Sequence, residues 1–414
     1  MTTPQPADAS PPTMIDVDQA QRIIAGSVAP LPAAEMPLAD ALHRTLAAAV
    51  CADLDDPPFD RSSMDGYAVR SGDVANAPVT LRVTGQIAAG TEAASVLAAG
   101  EAMQINTGAP IPSGANAVVR VEDTEPTDPA GGVRVTASVE AGRFITKRGT
   151  YIRRGAEALS VGTCLTAIEI GVAATCGAGR VVVHRRPRVG VLVTGDELVE
   201  IDCAPTGAQI RDSNQWILAS LVRSAHAEPV LLGTAGDDRE ALRSAIERGR
   251  ACDVLCITGG VSMGEFDFVP EVLASLGATL LIRKMSIKPG RPVHVAQWAD
   301  GGMVFALPGN PISALVGFEL LVRPALALLE GRTCFARPMR ARLSGRIGAN
   351  RARRAYVPAR AWVDDGGRWR VERLSWHGSG DPFGMVSANA LIVRDPHAGA
   401  ANSEDEVPIL RLGS

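Results

Sequence analysis

The chain has 414 residues, 46% of them hydrophobic, and its 41 Lys and Arg against 45 Asp and Glu leave a formal charge of only −4. That length exceeds one ordinary core and calls for several domains, while the balanced charge argues against nucleic acid as a partner. Seven scattered cysteines without a C-x-x-C pair exclude a disulfide framework and read as reduced core thiols of a cytoplasmic protein.

Residues 1–13, MTTPQPADASPPT, lack the basic and apolar regions of an export signal and are expected to form a disordered leader. In residues 14–50, MIDVDQAQRIIAGSV and MPLADALHRTLAAAV both read as surface helices. Residues 51–141 carry short runs such as VTLRVTGQI, EAMQINTG and GVRVTASV between Gly, Pro and Asp, the texture of a β domain. Residues 142–179 return to strand and then helix, and are expected to rejoin 14–50 as one discontinuous helical or extended dimerisation domain.

From 180 to 332 strands and helices alternate, which predicts a doubly wound parallel sheet with helices on both faces. The apolar stretch PISALVGFELLVRPALALLEG predicts a long helix kinked at Pro324. No run is read as long enough to span a membrane. Residues 333–414 return to short β segments and predict a small C-terminal β-barrel. The fold class is therefore multidomain, α/β plus β.

Ligands of open α/β sheets bind at the carboxyl ends of the strands, and polar residues gather at four such ends. Thr194-Gly195-Asp196-Glu197, Gly236-Asp237-Asp238, Thr258-Gly259-Gly260 and Leu307-Pro308-Gly309-Asn310-Pro311 each follow an apolar run. Singly they have plain explanations: Asp237 or Asp238 caps the next helix, and Asn310 precedes a proline at the first helical position. Together they predict a site. In CDVLCITGGVSMGEFD, paired glycines suit a phosphate, and Glu265 and Asp267 would repel it unless a divalent cation lay between. Lys284, Lys288 and Arg291 in IRKMSIKPGRP add cations, the two lysines sharing a side if one strand runs straight through them; the alternative is an edge strand blunted by lysine.

In the β domain, Asp60, Ser62, Ser63 and Asp65 crowd one turn, and Thr107-Gly108 opens a rigid loop ending at Glu122 and Asp123. Neither segment specifies a reaction by itself. The six histidines lack zinc-protease spacing, no nucleophile elbow is present, and VGVLVTGDE lacks the dinucleotide glycines. A zinc protease, a serine hydrolase and an NAD enzyme are disfavoured.

Taken in order, PPFDRSSMDGYAVR, INTGAPIPSGANAVV, TGDEL, GGVSMGEFD, IKPGRP and LPGNPISA closely resemble the molybdopterin molybdenumtransferases, known as MoeA in bacteria and as the E domain of gephyrin in animals. The resemblance implies a homodimer of four-domain subunits that takes adenylylated molybdopterin and molybdate, cleaves the phosphoanhydride with Mg²⁺, inserts the metal and releases AMP. Carried over by motif, Asp65, Glu197, Asp237, Asp267, Lys284 and Lys288 are the implied catalytic residues, with Glu197, Asp237 and Asp267 around Mg²⁺. Implied substrate contacts are Thr107, Thr194, Gly195, Gly259, Gly260, Ser262, Arg291, Pro308, Gly309, Asn310 and Ser379. Where relatives carry an arginine after the barrel aromatic this chain has Pro358, with Arg354 and Arg360 as substitutes. A molybdopterin adenylyltransferase and recipient molybdoenzymes are the implied partners; membrane and nucleic acid are not. Two alternatives remain: the adenylyltransferase step itself, and a scaffold that binds without turnover.

Overall fold

The computed structural model describes residues 14–91, 94–127, 131–260, 268–332 and 338–413. The expected leader, with Ser262, Glu265 and Asp267, lies outside them.

Helix α1 (Val17–Ser27) starts in a capping box, with Asp16 accepting the Gln19 N–H and the Gln19 side chain accepting the Asp16 N–H. Its buried Val17, Ala20 and Ile24 point into the α/β core rather than into a dimerisation domain. Ile15 holds it there, donating its N–H to Lys284 O at 3.1 Å and accepting the Ser286 N–H at 2.8 Å. The second stretch read as helical is not one. Ala33–Pro37 is a strand paired with Arg180–His184, a 3-10 turn follows at Leu38–Asp40, and Val50–Cys51 pairs with Glu157–Leu159. Packing of Leu38, Leu46 and Val50 against Leu165, Val181 and Val183 overrides alanine's helical preference. Helix α2 (Ala167–Thr175) closes this unit, so segments distant in sequence share one core.

The N-terminal β domain is a six-stranded sheet in the order Ala117–Arg120, Gly66–Val69, Glu101–Ile105, Val79–Ile87, Gly132–Val135, Thr124–Pro126, with apolar clusters on its two faces. The central domain holds the sheet Glu228–Ala235, Arg188–Thr194, Val254–Thr258, Met303–Leu307, His294–Gln297, Thr279–Ile282. The first four strands run parallel, as expected, but His294–Gln297 runs antiparallel to both neighbours. Helices α3 (Asn214–Ser224), α4 (Arg239–Gly249), α5 (Val269–Ser275), α6 (Pro311–Gly317) and α7 (Arg323–Leu329) cover it. Because the first strand of the domain lies between the second and third, the connections diverge beside it and open a crevice at its carboxyl end.

A π-helical turn, Phe318–Val322, joins α6 to α7. Pro324 cannot donate to Leu320 O, and that carbonyl instead accepts Gln21 Nε2 from α1 at 3.0 Å. The run Pro311–Leu329 is long and apolar enough to cross a membrane, contrary to the sequence reading, but here it is mostly buried as a core helix.

Five strands, Met339–Ser344, Arg354–Val363, Trp369–Arg373, Ala390–Arg394 and Glu406–Arg411, close into the C-terminal barrel through the pairing of Arg354–Val363 with Ala390–Arg394. Ile287–Lys288 adds to its outside, paired in parallel with Arg354–Ala355.

Candidate functional site

The crevice is a cleft of about 660 Å³ at the strand ends of the central sheet. Of the predicted residues, Thr194, Gly195, Glu197, Asp237, Gly259, Gly260, Pro308, Gly309 and Asn310 line it. Steric demand explains two of the glycines. At Gly259, with φ +95°, a Cβ would lie 2.4 Å from the backbone Thr194 O; at Gly195 the nearest atoms belong to the movable Glu197 carboxylate, and it is the φ of +147° that favours glycine. A side chain at Gly259 would fill the space beside Thr194 between the strand ends.

The acidic wall is held by backbone contacts. Asp196 Oδ1 accepts the Asp237 N–H at 3.0 Å, and Asp238 caps α4 by accepting from Glu240 and Ala241. Capping thus falls to Asp238, leaving the neighbouring Asp237 side chain for the cleft. Burial pushes the Asp237 carboxyl above its ordinary value; the Asp196 backbone N–H pulls it down, and the charges of Asp196 and Glu197 push it up. Clustered carboxylates of this kind suit a hard divalent cation bound through oxygen. Among the described residues no group of three His, Cys, Asp or Glu side chains is placed to hold a metal; the third carboxylate named from the sequence, Asp267, lies outside them.

Ser379, in a barrel loop, meets the rim of the cleft at Asn310. Its Oγ accepts Asn310 Nδ2 at 3.0 Å, its carbonyl accepts the Ile312 N–H at 3.0 Å, and the following Gly380 lines the cleft. Asn310 does precede Pro311 at the helix start, but its side chain binds the barrel rather than capping α6.

The cations are arranged differently from the sequence expectation. The edge strand ends at Ile282, so no straight strand carries both lysines; Lys284 is half-buried, while Lys288 is exposed on the short strand that joins the barrel. Arg291 is exposed beside Pro292, which lines the cleft. Arg354 is engaged with Asp395 at 2.9 Å and Asp18 at 3.6 Å, whereas Arg360 is exposed on its strand.

Asp65 and Thr107 come together with each other, Asp65 Oδ1 accepting the Thr107 N–H at 2.7 Å, but they lie on the β domain and line no part of the cleft. Nearby Asp60 ties its turn to a neighbouring loop, where Lys147 and the Arg148 N–H bind its carboxylate and hold it below its ordinary pKa.

Sequence reasoning missed Asp212 and Asn214. Both line the cleft at 5% and 7% exposure, and burial raises the Asp212 carboxyl. Their only signal was the run Asp212-Ser213-Asn214 directly before an apolar helix, which reads equally well as an N-cap.

Residues 15–177 match the MoeA N-terminal region (domain I and II), residues 190–328 a probable molybdopterin binding domain, and residues 340–412 the MoeA C-terminal region (domain IV). The chain is 40% identical over 295 residues to a molybdopterin molybdenumtransferase of Nostoc sp., covering 70% of this chain and 67% of that one. It is 38% identical over 296 residues to the enzyme of that name from Bacillus subtilis, covering 70% and 69%. The solved structure of a molybdopterin biosynthesis MoeA protein from Pyrococcus horikoshii superposes with a TM-score of 0.83 at 28% identity, covering 96% of this chain and 100% of that one. The chain belongs to the molybdopterin molybdenumtransferase family.

Proposed function

We propose that this enzyme completes the molybdenum cofactor, inserting molybdate into adenylylated molybdopterin with cleavage of the phosphoanhydride and release of AMP. The observation that carries this reading is the strand-end cleft, where the carboxylates of Glu197 and Asp237 meet the glycine turns at Gly259-Gly260 and Pro308-Gly309. A phosphate group fits close-approaching glycine backbone. The facing carboxylates fit a cation that neutralises it.

Glu197 and Asp237, with Asp267, would hold Mg²⁺, which supplies Lewis-acid stabilisation of the phosphoryl oxygens. Lys284, Lys288 and Arg291 would stabilise charge on the leaving phosphate or on molybdate. Asn310, tied to Ser379, fixes the barrel side of the cleft. Asp65 and Thr107 are assigned to the cleft of a second subunit, because they are paired on a domain that does not reach the cleft of their own chain; the working enzyme is then a homodimer. Its place is the cytoplasm, between an adenylyltransferase that supplies the substrate and the molybdoenzymes that take the product.

Purified protein incubated with adenylylated molybdopterin, Mg²⁺ and molybdate, with AMP followed together with activation of an apo molybdoenzyme, tests this reading. AMP release with activation supports insertion. Transfer of AMP from ATP onto molybdopterin would instead support the adenylyltransferase reading, and tight binding without turnover a scaffold.

A further inference from the structure

Asn214 has no part in the chemistry above, yet its side chain joins the two glycine turns from behind. It is 7% exposed, and its Nδ2 donates to Thr258 Oγ1 at 3.0 Å and to Gly309 O at 2.6 Å. Thr258 passes the chain on, donating from Oγ1 to Pro308 O at 3.0 Å. A carbonyl only accepts, so Gly309 O fixes the amide orientation and leaves Asn214 Oδ1 buried without a partner among the described residues. The turns themselves touch: a Cβ at Gly309 would stand 3.6 Å from Gly259 Cα, and the Gly259 N–H reaches Leu307 O at 3.3 Å. One buried amide thus ties together two turns that leave neighbouring strands, extending beyond the strand ends the contacts made by Thr258 Oγ1 and the Gly259 N–H.

We propose, building on the insertase reading, that Asn214 is a positioning residue for the phosphoanhydride, holding the turns Thr258-Gly259-Gly260 and Pro308-Gly309 at the separation that accepts the substrate's phosphates. Those phosphates are held before and during the reaction, so loosening the turns weakens ground state and transition state alike. Steady-state AMP release by the full chain reads this directly. Asn214→Ala raises KM for adenylylated molybdopterin by about tenfold or more, while kcat falls less than about threefold. Asn214→Asp, which turns an acceptor toward Gly309 O, shows the same split at least as strongly. Thr258→Val raises KM by itself and adds little on top of Asn214→Ala, because the two side chains act as one unit. Should Asn214→Ala not fold, as judged by near-UV circular dichroism, Thr258→Val carries the reading with side-chain volume preserved. An unchanged KM in the folded variants overturns the assignment, as does a fall in kcat at constant KM. A wild-type chain that binds its substrate but releases no AMP is a different failure: it overturns the insertase reading and this inference with it.

Discussion

Asp237 stands where burial opposes its ionisation, with the Asp196 backbone N–H favouring it and the charges of Asp196 and Glu197 opposing it, and the net rise has a measurable consequence for stability. A carboxyl whose folded pKa is raised binds its proton more tightly folded than unfolded, so ionising it costs stability. The cost is fully present above the raised folded value and absent below the ordinary value of about 3.9. Asp237→Asn is therefore predicted to melt slightly above wild type at neutral pH, the margin being small because solvent screens a partly exposed side chain. The margin should close as the pH falls toward about 4; calorimetric scans across that range check it, and a constant margin contradicts it. Mg²⁺ is predicted to raise the melting temperature of wild type more than that of Asp237→Asn. Single residues were legible in the sequence where chemistry is restrictive. Gly259 could be read because only glycine tolerates the approach of Thr194 O, whereas Asn214 could not, because an asparagine before a helix has a common structural use and its partners lie 44 and 95 residues away.

Helix α1 is the element whose role differs most from its reading. Its amphipathic spacing was visible, but the surface that receives it was not. That surface is the α/β core, and one of its contacts depends on Pro324, which leaves Leu320 O to the side chain of Gln21. Gln21→Leu is predicted to lower stability by about 1 kcal/mol, the net worth of one hydrogen bond plus part of the desolvation of the carbonyl left behind. Urea titration measures it, and an unchanged midpoint would show that the π-turn satisfies Leu320 O unaided. The same long-range logic explains the stretch 36–50. Its alanines favour a helix locally, while pairing with Leu159, Cys164, Arg180, Val181 and Val183 gives strands and turns that no local pattern announces. The alternation of strand and helix read over 180–332 was reliable for α3 and α4.

The largest core is shared between domains. Tyr356, Leu391, Val393 and Leu410 of the barrel are buried in the same cluster as Val17, Ile24, Phe305 and Phe318. At about 1.5–3 kcal/mol for each buried side chain, losing the four barrel residues would remove much of the ~5–15 kcal/mol that a domain has available. A chain ending at residue 332 is predicted to lose cooperative unfolding or to melt far below the full chain. A sharp transition at the full-length midpoint, followed by circular dichroism, would contradict this. The β, α/β and β textures were legible as a succession along the chain; their fusion was not, because the contacts that produce it come from single side chains of separate segments. Whether the strand-end cleft turns over adenylylated molybdopterin is decided by molybdate-dependent AMP release from wild type and Asp237→Ala, measured side by side. Release by wild type is expected, with a loss of roughly two orders of magnitude or more in the variant, the scale of the several kcal/mol a held cation contributes. Equal release by both would place the chemistry elsewhere.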